Sequence, residues 1–154
     1  MTLPIEEKTI RLLRHHYFSH FIVLGILYLL TLFKVIRVVE IPSSLHLAID
    51  QCSILLTIVG IPLALKLFSN KTNKRPRPDN AEIGAKIYKK AFSQRLYLLS
   101  FIILWNILAS TVSSNGNYTW LIIILFIVLL FCKPSFPELE NLIERKDEKN
   151  ALTE

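Results

Sequence analysis

Apolar residues in this chain fall into four long runs, and polar residues gather between the runs instead of alternating with them. A bilayer core is about 30 Å thick, so a spanning helix needs about 20 mostly apolar residues. The pattern predicts spans over residues 17–37, 45–66, 94–113 and 118–133. The fourth is the shortest and the most apolar, with 12 unbroken hydrophobic residues over 121–132. Runs this long and this uniform do not fit barrel strands, which alternate with period two. Helices pair every backbone polar group internally, as lipid requires.

The polar stretches predict the rest of the architecture. Residues 1–16 mix Leu3, Ile5, Ile10, Leu12 and Leu13 with charges, acidic early and basic late. That order suits a helix dipole and an amphipathic segment lying on the membrane surface. Basic residues crowd the loop over 69–90, where Pro76 and Pro78 keep the chain extended. Asp79, Asn80 and Glu82 read as a capping box opening a helix that runs into the third span. Residues 134–154 form a tail in which Ser135 and Glu138 suit a cap, and Leu139, Leu142 and Ile143 form one apolar stripe. Such a short helix must dock on its own protein, on the membrane or on a partner.

Charge sets the orientation. The chain has 154 residues with 18 Lys and Arg against 12 Asp and Glu, a net charge of +6. With both ends and the 69–90 loop inside, 16 of the 18 cations lie inside and 2, Lys34 and Arg37, lie outside. The fold class expected is therefore an all-α integral membrane protein: a four-helix transmembrane bundle, both termini cytoplasmic, with short cytoplasmic amphipathic helices. Residues 17–132 are its transmembrane domain. Composition, rich in isoleucine, lysine and asparagine and poor in glycine, suggests a bacterial inner membrane. Lys8, Arg11 and Arg14 before an apolar run resemble a signal peptide, but no small-residue cleavage site follows, so the first helix is read as retained.

Ionisable groups inside spans are costly and mark candidate sites. At about 1.5 Å per residue, Asp50 lies about 7 Å and Asn106 about 9 Å below the outer boundary. Lys34 reaches the same level, and Gln51 adjoins Asp50. Lys34, Asp50, Gln51 and Asn106 thus form one candidate polar cluster, read either as an interhelical clamp, Lys34 on Asp50 with Asn106 bridging, or as a pocket open to the outside. Lys71, Lys74, Arg75, Arg77, Lys86, Lys89 and Lys90 are expected to contact anionic headgroups. His16 and His20, four residues apart, have metal-compatible spacing, but no nearby carboxylate or cysteine completes a set, so no metal is expected. Cys52 and Cys132 fall at opposite membrane faces and are not expected to pair. Pro62 is expected to bend the second span.

No catalytic set, phosphate loop or dinucleotide fingerprint appears. The expectation is a non-enzymatic accessory, anchoring or assembly subunit of a membrane complex, with no cofactor and no nucleic-acid partner. Its partners would be the bilayer and a protein, or a second copy, held through the bundle and the C-terminal helix. The alternative is a small oligomeric transporter or channel subunit that uses the polar layer around Asp50. A lipid-acting enzyme would need His15, His16 and His20 to form a true site.

Overall fold

The computed structural model describes residues 5–35, 42–73, 81–113 and 116–144. Among these it is all helical: α1 (Ile5–Leu32), α2 (Ser43–Asn73), α3 (Ala81–Val112), α4 (Asn117–Phe131) and α5 (Phe136–Glu144). The first three are long and apolar enough to cross a membrane. α4 has 15 residues, about 22 Å of helix against a core of about 30 Å. It reaches a fourth span only as part of a pair with α5, bent by 56° between them. Pro134, in the break, has no N–H for a helical bond and stops α4 from running on.

α3 is the hub. It packs on α1, α2, α4 and α5, with its most extensive contact to α2. Half of its spanning window is buried, against 22% for α2 and 11% for α1. Helical periodicity explains which residues face inward. On α1 they are Ile10, Leu13, Tyr17 and Leu24, and on α4 Tyr118, Ile122, Leu125 and Leu129. On α2 they are Ser53, Thr57, Gly60 and Ala64, all small. Small side chains let two helix backbones approach closely. At Gly60 the approach is tight enough that a Cβ would overlap Ile102 Cδ1 of α3 and lie 3.2 Å from Ile102 Cγ1.

Large apolar side chains cover the outward faces, among them Ile22, Val23 and Ile26 on α1 and Leu55, Ile58 and Val59 on α2. In water these would be a liability; against lipid tails they are in a matching solvent.

Both ends of α1 differ from the sequence reading. α1 runs without a break from Ile5, so residues 5–16 continue the first span instead of forming a separate surface helix. Its lower part buries Ile10 and Leu13, two of the apolar residues that the sequence puts against the membrane surface, together with Tyr17. The same helix stops at Leu32, short of 37. Val35 N–H bonds Leu30 carbonyl oxygen and Lys34 N–H bonds Thr31, both at 3.0 Å. This is a Schellman ending, and Lys34 holds its left-handed position with φ 54°. α2 continues uninterrupted through Pro62. Asp79 and Asn80 of the expected cap, the basic residues Lys74, Arg75 and Arg77, and the tail beyond 144 lie outside the described residues.

Candidate functional site

Two polar junctions interrupt the apolar interior. One, at the end that the charge pattern assigns to the outer side, joins α2, α3 and α4. Asp50, Ser53 and Thr57 occupy positions i, i+3 and i+7 of α2, one face of the helix. Tyr118 Oη, on the first turn of α4, donates to Asp50 Oδ1 at 2.6 Å. Ser53 Oγ lies 3.4 Å from the same hydroxyl and accepts a 3.0 Å bond from Trp105 Nε1 of α3. One turn deeper, Asn106 Nδ2 donates to Thr57 Oγ1 at 3.1 Å and to its own helix at Ile102 carbonyl oxygen, 2.9 Å. Thr57 Oγ1 in turn donates to Ser53 carbonyl oxygen at 2.8 Å. Asn106 is fully buried, and its Oδ1 accepts no bond from the described residues. A buried oxygen left without a donor costs about 1–3 kcal/mol unless a water or ligand serves it.

Of the residues that the sequence marked for this cluster, Asp50 and Asn106 belong to the junction. They are linked through Ser53 and Thr57 and do not bond each other directly. Gln51 is exposed on another face of α2, and Lys34 is exposed at the end of α1, with its backbone fixed by the helix ending. Ser53, Thr57, Trp105 and Tyr118 are the members that sequence reasoning missed. Their signal was present in the i, i+3, i+7 series below Asp50.

The other junction, at the end that the charge pattern assigns to the inner side, gathers around Arg95 of α3, a guanidinium that is 5% exposed. Its Cζ lies 3.8 Å over the ring of Phe68 of α2 and 5.3 Å from that of Phe92. Nη2 donates to Cys132 carbonyl oxygen at 3.1 Å, closing the end of α4. Glu138 of α5 is 3.7 Å from Nη2, an ion pair looser than a hydrogen bond. The firmer hold on Glu138 comes from Tyr88 Oη, which donates to Oε2 at 2.7 Å. Ser135 N–H points at the same Tyr88 oxygen, 3.4 Å away. Arg95 Nε is buried with no hydrogen-bond partner among the described residues. Nearby, Tyr17 Oη donates to Leu129 carbonyl oxygen at 3.1 Å, tying α1 to α4. Sequence reasoning counted Arg95 only as a flanking positive charge and Glu138 only as a capping residue.

His20 does not join His16. His20 Nδ1 is 3.2 Å from Ser100 Oγ, its ring meets Tyr97 edge-on, and His16 is exposed. Among the described residues no group of three metal-binding side chains converges. The cysteines are unpaired, Cys52 exposed and Cys132 buried. Of the expected headgroup contacts, Lys86 pairs with Glu82 at 2.9 Å on an exposed surface and Lys71 bonds Gln94, while Lys89 and Lys90 are exposed. Lys133 adds a cation 5.7 Å over Phe18.

The chain matches no protein-family model, no curated protein and no solved structure.

Proposed function

We propose that this chain is a non-enzymatic accessory, anchoring or assembly subunit of a membrane complex. Its orientation in this reading puts both termini in the cytoplasm of a bacterium, with the bundle in the inner membrane. Lys71, Lys74, Arg75, Arg77, Lys86, Lys89 and Lys90 then lie against anionic headgroups. The observation that carries the proposal is α1: only 11% of the residues in its spanning window are buried inside the chain. A span so little covered by its own protein offers a long lateral face to the helices of another, where van der Waals packing drives association.

The test is purification from the native membrane in mild detergent, reading molar mass together with stoichiometry. The expected result is one companion protein in fixed ratio, lost when Val23 and Ile26 on the outer face of α1 are replaced by Trp. A homo-oligomer alone, unaffected by those replacements, would refute the reading.

A second reading, a small oligomeric transporter or channel subunit, draws support from the buried Asn106 Oδ1, an oxygen with room in its chemistry for a donor. It predicts that Asp50→Asn abolishes flux while the protein stays abundant and folded. Under the accessory reading, activity of the complex follows protein abundance instead.

A further inference from the structure

The inner junction has an asymmetry. Arg95 is held by groups that do not belong to α5: the carbonyl of Cys132 at 3.1 Å and the ring of Phe68 at 3.8 Å. Tyr88, fully buried on α3, stacks on Phe92. α5 itself is short, nine residues, and a helix of that length does not hold together when detached. It is seated by Leu139, which is buried, by the half-buried Leu142, and by one carboxylate, Glu138. That carboxylate takes its close bond from Tyr88 at 2.7 Å and leaves Arg95 at 3.7 Å. Arg95 still has a buried donor, Nε, without an acceptor. Arg95 therefore has holds that do not depend on the occupant, and the occupant does not saturate it.

We propose that Tyr88 and Arg95 form a preorganised carboxylate seat at the inner end of α3, and that α5 is its displaceable occupant. The competitor it accepts is a short amphipathic helix of the same chemistry: an acidic residue with a leucine next to it, Glu138 and Leu139 being the resident example. Release of α5 unfolds nine residues and frees a buried cation and a phenol for the incoming carboxylate. This goes beyond the accessory reading and does not depend on it.

The test uses the full chain in nanodiscs, with amide exchange read helix by helix. A hydrogen bond to a charged group accounts for about tenfold or more in an equilibrium. Glu138→Gln is therefore expected to speed exchange in α5 by about tenfold and leave α3 and α4 unchanged. A labelled peptide of residues 133–144 then binds the Glu138→Gln chain saturably. The peptide carrying Glu138→Gln binds about tenfold more weakly, and Tyr88→Phe in the chain weakens binding of the native peptide. The proposal is overturned if α5 exchanges only together with α3, if Glu138→Gln leaves its protection at the native level, or if the two peptides bind alike.

Discussion

Tyr118 and Asp50, 68 residues apart, are joined by a 2.6 Å hydrogen bond that fastens the first turn of α4 to α2. At the far end of α4 the bonds come from Tyr17 of α1 and Arg95 of α3. Tyr118→Phe keeps the ring and removes the hydroxyl. Interhelical bonds of this kind average about 0.6 kcal/mol and reach about 1.7, and the acceptor here is a carboxylate, so a loss near the upper figure is expected. Unfolding in mixed micelles measures it, and amide exchange of α4 locates it at residues 117–121.

Asn106 carries the opposite expectation. It makes two bonds through Nδ2 but leaves Oδ1 buried and unserved. Asn106→Leu exchanges a half-satisfied amide for an apolar group of similar size, so stability changes by less than about 1 kcal/mol. Thr57 keeps its bond to Ser53 carbonyl oxygen in that variant. Asn106→Asp buries a charge instead and costs more than about 2 kcal/mol. The same micelle unfolding assay ranks the two.

Gly60 and Ile102 test the closeness of α2 and α3. An added methyl at position 60 meets Ile102 Cδ1, an atom that valine lacks. Gly60→Ala is expected to cost about 1 kcal/mol in the native background, as overpacking does. In the Ile102→Val background the same change costs nothing or stabilises. The interaction energy from the four proteins of this cycle decides the matter.

Arg95 and Glu138 should behave as a coupled pair. Arg95 is buried while the Glu138 side chain is 37% exposed, so Glu138→Gln takes the carboxylate away from a guanidinium that stays desolvated, which costs more than removing both charges. Arg95→Met keeps an unbranched stem over Phe68 without the charge. The double variant Arg95→Met, Glu138→Gln is therefore expected to be more stable than Glu138→Gln alone, read by thermal unfolding of the full chain.

Lys34 separates backbone from charge. Its left-handed φ of 54° costs a non-glycine residue about 1 kcal/mol. Lys34→Gly is expected to stabilise the chain by about 0.4–1 kcal/mol. A loss of stability in the same assay would mean that the ammonium serves Asp50 across the outer surface, as the sequence suggests.

How far the chain could be read in advance follows from which signals are local. The long helices were legible because lipid imposes a crude requirement, about 20 apolar residues in a row. The end of α1 was not, because Val35 and the residues beyond it remain apolar after the helix has closed on itself through Leu30 and Thr31. Asp50 and Asn106 stood out as polar residues in apolar runs. Lys34 was grouped with them by depth alone, and depth does not fix which way a side chain at a helix end turns. Arg95 and Glu138 were the harder case. One sits in a positively charged flank and the other in a capping pattern, so each already had a sufficient local reason. Only the bend between α4 and α5 brings them within 3.7 Å.

The place of α3 at the centre bears on how the protein is made. α1 and α2 pack mainly on α3, which is synthesised after both. During translation the first two helices enter the bilayer before the surface they will rest on exists. Each must be stable there by itself, which fits the large apolar residues on their outward faces, Ile22, Val23 and Ile26 on α1 and Leu55, Ile58 and Val59 on α2. Arrival of α3 then acts as the assembly step, and α4, too short to be secure alone, follows onto a platform that is already complete.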